Sequence, residues 1–112
     1  MNLTQMETTA GLVLHRLMNF ETPDIQELGR GSRTGGLFLH DLDMQVWDWT
    51  QGVGLYGLEK LQNYYGDQRY DAFLTGWFQD RINEGLPCAN INTTAPYLVL
   101  QALSDRTGNE TF

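Results

Sequence analysis

A faint internal repeat constrains this chain more than any other feature. The segment Gln51 to Tyr70 returns in outline 42 positions later, as Thr93 to Phe112. Leu58 pairs with Leu100, Leu61 with Leu103, Gly66 with Gly108, Asp67 with Asn109 and Tyr70 with Phe112. Identities are few, but the apolar positions, the Gly-Asp/Asn turn and the aromatic after it all come back in register. A period of about 40 residues whose units read as helices marks stacked helical hairpins. Such a unit cannot bury its apolar face alone and needs neighbours. The expected fold is therefore all-α, with residues 1–112 forming a single partial domain of about two hairpin units.

Size and charge narrow the partners. A chain of 112 residues is one domain at most. It buries about two thirds of the surface its unfolded form exposes. Five Tyr, five Phe and three Trp supply apolar area, while twelve Gly weigh against a tightly helical bundle. That balance suits a scaffold whose loops approach a ligand closely. The net charge is −7, and the seven basic residues are spread from Arg16 to Arg106 without a run. Nucleic acid is excluded as a partner, because its phosphates are held by clustered Lys and Arg. An anionic sugar stays open, since one local Arg or Lys can serve it. Cys88 is alone, so no intrachain disulfide forms, and a small buried thiol in a reducing compartment is expected. The N-terminal MNLTQMETTAGLVLHRL has neither a charged leader with a long apolar core nor a membrane span, which points to the cytoplasm.

Periodicity then places the elements. Met6, Ala10, Val13, Leu14, Leu17 and Met18 predict one amphipathic helix over Thr4 to Phe20. Residues from about 21 to 45 read as a long loop containing GRGSRTGG and LFL, a length that is usually functional. Gln51 to Tyr65 is apolar on nearly all sides, as in a buried helix. Gly66 should end it as C-cap, and Asp67 should start the next as N-cap. Tyr70, Phe73, Leu74, Trp77, Phe78 and Arg81 then form one apolar face of a helix lying outside. After a return loop over Asn83 to Asn92, Thr93 or Thr94 should cap a last helix with Pro96 in its first turn. Short connections make successive helices antiparallel. The two inner ones then run parallel, with their N-termini at one rim.

That rim is where chemistry can sit. Trp47 to Gln51 and Asn90 to Thr94 precede the two inner helices, and Asp48 and Asn90 are 42 positions apart. Indole faces stack on pyranose rings, amides read hydroxyls and helix N-termini favour a carboxylate. Trp47, Trp49, Gln51, Asn90, Asn92, Thr93 and Thr94 are the candidate substrate-binding residues. On residue types alone, packing and capping are the commoner use of such a set and sugar binding the rarer. Asp41, Asp43 and Asp48 are candidate carboxylates for glycosidic chemistry, although loop Asp residues are more often solvated or capping. His15 and His40 stand alone, so no metal site is expected. Gly29, Gly31, Gly35 and Gly36 follow no predicted strand and give no phosphate-cradling loop.

Three stretches, WDWTQGVGLYGLEKL, YYGDQRYDAFLTGWFQD and ANINTTAPYLVLQALSDRTGNETF, resemble the N-terminal part of the unsaturated rhamnogalacturonyl hydrolases, glycoside hydrolase family 105, akin to the unsaturated glucuronyl hydrolases. The resemblance runs from about Leu42 to Phe112, on the W-x-W-x-Q-G-V-x-L-x-G-L, G-D-x-x-Y and N-x-N-T-x-A-P patterns in order. It implies part of an (α/α)6 toroid of six helical hairpins. It also implies removal of a 4,5-unsaturated galacturonyl residue from pectin-derived oligosaccharides. An Asp protonates C4 of the vinyl ether, water adds at C5 and the hemiketal collapses, with no metal or organic cofactor. By position, Trp47 falls at the family's aromatic subsite, with Trp49 and Gln51 on the same rim. Asn90 to Thr94 falls where some relatives carry an active-site Asp, and this chain has Asn92-Thr93-Thr94 instead. The family's principal acid/base Asp belongs to a later hairpin and has no equivalent here, so the chain alone is expected to be inactive.

Six such hairpins need about 250 residues before loops. A lone arc would expose the sides of its inner helices at Tyr56, Leu58, Tyr97 and Leu100. Three outcomes stay open: the rest of the barrel comes from elsewhere, copies self-associate through these faces, or the piece is poorly stable. The expected partner is an unsaturated uronide oligosaccharide. The rival is a small helical-repeat interaction module that binds protein without catalysis, and another toroid enzyme, such as a sugar epimerase, matches the motifs less well.

Overall fold

The computed structural model describes residues 1–19, 33–34, 37–38 and 44–112. Four helices carry it: α1 (Leu3–Met18), α2 (Trp49–Tyr65), α3 (Asp71–Glu84) and α4 (Tyr97–Thr107). Strands β1 (Arg33–Thr34) and β2 (Leu37–Phe38) form a two-residue antiparallel pair inside the stretch read as loop. The rest of that stretch, with His40, Asp41, Asp43, Gly29, Gly31, Gly35 and Gly36, lies outside the described residues.

Helix α1 begins one residue earlier than its apolar spacing suggests, because Asn2 and Gln5 close a capping box. The Asn2 Oδ1 accepts from the Gln5 N–H, and the Gln5 Oε1 accepts from the Asn2 N–H, both at 2.9 Å. None of its residues is fully buried; Leu14, Leu17 and Met18 pack partly against the core. Leu17 meets α2 at Gly54, where an added Cβ would stand 3.3 Å from the leucine methyls.

The repeat is real in geometry. Gly66 (φ 71°, ψ 27°) and Gly108 (φ 68°, ψ 19°) both end their helices in the left-handed conformation that glycine enters at little cost. Asp67 then accepts the Arg69 N–H, and Asn109 accepts the Thr111 N–H, in matching turns. At the other end the Asp48 carbonyl takes the Gly52 N–H at 3.0 Å, and the Asn90 carbonyl takes the Thr94 N–H at 3.2 Å. Each pair is 42 positions apart.

Caps are where the expectations fail. Asp67 does not start α3; its carboxylate turns to Arg69, and the Tyr70 N–H is met by the Gln62 Oε1 reaching from α2. Neither Thr93 nor Thr94 caps α4. The helix starts after Pro96 with no side-chain cap, and the Asn90 Oδ1 instead closes the turn ahead of it, accepting the N–H groups of Asn92 (2.9 Å) and Thr93 (3.1 Å). Thr93 returns the bond by accepting the Asn90 N–H at 2.9 Å. A turn then leads through Pro96 into the helix.

α2 and α4 lie side by side and parallel. Trp47, just before α2, donates to the Thr93 carbonyl just before α4, and near their C-terminal ends Glu59 meets Arg106. At Gly52 an added Cβ would stand 2.8 Å from the Ala95 Cβ and 2.9 Å from its carbonyl carbon, so backbone meets backbone there. The core consists of Met44, Trp47, Leu55, Leu58, Leu74, Trp77, Phe78, Val99, Leu100 and Leu103. Burying each large side chain contributes about 1.5–3 kcal/mol. α3 presents Leu74, Trp77, Phe78 and Arg81 to it, the predicted face.

The apolar α2 is not buried all round. Val53 (62%), Tyr56 (45%) and Tyr64 (68%) are exposed, while its covered face carries the polar Gln51, Glu59 and Gln62, which have partners there. Of the four inner-helix side chains expected to be exposed, Tyr56 and Tyr97 are; Leu58 and Leu100 are buried under neighbouring helices. Cys88 is exposed rather than buried, because it lies in the return loop and not on a helix face. Among the described residues no helix is long and apolar enough to cross a membrane.

Candidate functional site

Groups from other elements hold the strap 44–48 at Met44, Gln45 and Trp47. The Trp77 indole donates to the Met44 carbonyl at 2.6 Å. The Arg81 Nη1 donates to the Gln45 carbonyl at 2.6 Å and to its Oε1 at 2.7 Å. Trp47 stacks on Trp77 (centroids 5.7 Å, 26° between planes) and meets Phe78 and Tyr97 edge-on at 5.6 and 5.0 Å. Its Nε1 donates to the Thr93 carbonyl at 2.8 Å. Asp48 ends the strap as N-cap of α2, accepting the Trp49 N–H at 2.7 Å.

All seven candidate residues gather at this rim, but in two layers. Trp47 (6% exposed), Gln51 and Thr93 are buried. Trp47 is not the open sugar platform expected of it, because its ring is packed against three other aromatic rings and its N–H is spent on a carbonyl. Gln51 accepts from the Thr50 hydroxyl at 2.7 Å, and the Thr93 hydroxyl donates to the Cys88 carbonyl at 3.0 Å. Trp49 (45% exposed), Asn90, Asn92 and Thr94 form the accessible layer. Asn90 is engaged by its own turn, and the Thr94 hydroxyl donates to the Ile91 carbonyl. The Trp49 ring and the Asn92 amide bond to no described side chain, so they are the groups the rim offers to a ligand. Among the described residues no three His, Cys, Asp or Glu side chains are placed to hold a metal.

Residues 36–112 match the model of glycosyl hydrolase family 88, a stretch that holds both cap segments and the whole repeat. The chain belongs to that family. Over 67 residues it is 29% identical to the unsaturated rhamnogalacturonyl hydrolase YesR of Bacillus subtilis (strain 168), covering 60% of this chain and 20% of that relative. The chain thus spans about a fifth of the relative's length. The matching model is numbered 88 where the motifs suggested family 105, and the relative is of the unsaturated rhamnogalacturonyl type. No solved structure matches the chain.

In this family 88 member, the end opposite the rim is built from charges that periodicity did not single out. Arg106 on α4 donates to both oxygens of Glu59 (2.8 and 2.9 Å) and to both of Asp71 (2.6 to 3.2 Å). Buried Gln62 donates to Glu59 at 3.0 Å and to Asp71 at 2.8 Å. The Arg106 guanidinium and the Gln62 amide hold the Asp71 carboxyl below its usual range, and the two carboxylates push the arginine's own ionisation further up. The legible signal was Glu59 and Gln62 on the covered face of an apolar helix. In sequence, spacing makes Arg81 only a member of an apolar stripe. It is buried, pairs with Glu84 at 2.8 Å and leaves its Nε without an acceptor, at a cost of about 1–3 kcal/mol.

Proposed function

We propose that this rim is the sugar-holding wall of a glycoside hydrolase acting on unsaturated uronide oligosaccharides, the class that loses a 4,5-unsaturated galacturonyl residue by hydration of its vinyl ether. The reading is carried by one observation: the ends of two parallel helices, fixed together by Trp47 and Thr93, leave Trp49 at the start of one and Asn92 ahead of the other exposed. An indole face suits a pyranose ring, and an amide suits its hydroxyls. Family membership and the YesR match support the hydrolase class.

Vinyl ether hydration needs an acid that protonates C4 and a water that adds at C5. Asp48 is the one rim carboxylate among the described residues, and it is spent on its cap. Binding without turnover is therefore the behaviour proposed for the described rim. Calorimetry with an unsaturated digalacturonate should show binding that Trp49→Ala abolishes, while the ultraviolet absorbance of the alkene stays constant. Steady loss of that absorbance would place a working acid in this chain.

The exposed stripe of Val53, Tyr56 and Tyr64 favours a second reading, a helical interaction surface through which copies self-associate. Light scattering decides it: a dimer that survives Trp49→Ala and dissociates on Tyr56→Ser would support this reading over the first.

A further inference from the structure

We propose that Arg81 is a positioning residue: it fixes the strap ahead of α2 and so sets where Asp48 and Trp49 stand on the rim. This rests on the sugar-binding reading above for its functional meaning, though not for its geometry. Met44 and Gln45 belong to no helix or strand, so their carbonyls need partners from elsewhere. Both are supplied by α3. Trp77 takes the first, and Arg81 takes the second with the same nitrogen that holds the Gln45 side chain. The guanidinium lies 5.9 Å from the Trp77 ring centre, so the two holding groups also brace each other. Two residues further on, Trp47 settles on Trp77, and the next residue, Asp48, caps α2.

An ordinary ion pair does not explain this arrangement. Glu84, the arginine's carboxylate partner, is 63% exposed, and a pair of that kind needs no burial and contributes little. Yet Arg81 is 6% exposed and leaves its Nε unsatisfied. Its Nη1 is spent wholly on the strap, while Nη2 goes to Glu84. A planar fork can span a main-chain carbonyl, an amide oxygen and a carboxylate at once, whereas a lysine ammonium cannot keep that geometry.

The test uses this chain with Arg81→Lys, Gln45→Ala and Glu84→Ala, read by residue-resolved amide exchange and by calorimetry with an unsaturated digalacturonate. Arg81→Lys should speed exchange at Trp49 and Gly52, the amides bonded to Asp48, by about tenfold while Val99 to Leu103 stay within about twofold. Gln45→Ala, on an exposed side chain, should act in the same direction and more weakly, and it keeps the test alive if the lysine variant does not fold. Glu84→Ala should leave both regions unchanged. Uniform acceleration along α2 and α4, no acceleration, or an equal effect from Glu84→Ala would each overturn the assignment.

Affinity for the sugar should fall about tenfold in Arg81→Lys. If the unaltered chain fails to bind, the rim reading fails while exchange still judges Arg81. If the chain binds and Arg81→Lys binds equally well with its cap amides loosened, the coupling from strap to sugar is refuted.

Discussion

The two ends of the α2–α4 pair are built on opposite terms. At the rim, neutral hydrogen bonds and stacked rings join the helices and leave Trp49 and Asn92 to spare. At the far end, one arginine and two carboxylates satisfy each other and leave nothing to offer. On the proposed reading, binding capacity and fastening are separated along one pair of helices. Changes at the far end should alter stability without touching ligand preference, and changes in the rim's outer layer should do the reverse.

The largest effect belongs to the layer beneath the rim. Trp47→Ala removes a ring packed on Trp77, Phe78 and Tyr97, and should cost about 3–5 kcal/mol in a urea titration. If the loss is under 1 kcal/mol, the two layers of the rim are not distinct.

Next comes the far end. Arg106→Met strands Glu59 and Asp71 without their cation and should cost about 3 kcal/mol while leaving sugar binding by the folded fraction intact. The same cluster contributes to the acid limb of stability. Because the Asp71 carboxyl is depressed in the folded state, its contribution is full above the usual carboxylate range and is lost as pH falls through the lower folded value. Thermal melts between pH 7 and pH 2 should show that acid loss flattened in Asp71→Asn.

Gly52→Ala sharpens the contrast by steric means alone. Its new methyl would press on the backbone of Ala95, costing about 1–3 kcal/mol and loosening the rim more than the far end in amide exchange. The smallest effect on stability is Trp49→Ala, within about 0.5 kcal/mol, yet it should remove most of the sugar affinity.

Much of the architecture was legible in the chain because spacing reports faces. The apolar stripe from Tyr70 to Arg81 and the pairing of Gly66 with Gly108 are properties of period, and the structure keeps both. The caps were not legible, since Asp67, Asn90, Thr93 and Thr94 are all competent and the choice among them depends on the approach of other chain segments. Gln62 reaching Tyr70 is such a choice. The same holds at the rim: residue type marked Trp47 and Trp49 alike as sugar platforms, and only packing against α3 shows that the first is covered and the second open. Arg106 escaped notice because its partners lie 47 and 35 positions away.

Gly52 against Ala95 has one further consequence. With only the Ala95 methyl between them, the two segments approach at the mouth nearly as closely as their main chains allow. The base is held by long, reaching groups, Arg106 to Glu59. Gly52 is thus the residue that permits the close approach at the mouth, and any larger side chain there would push the two segments apart at that end first.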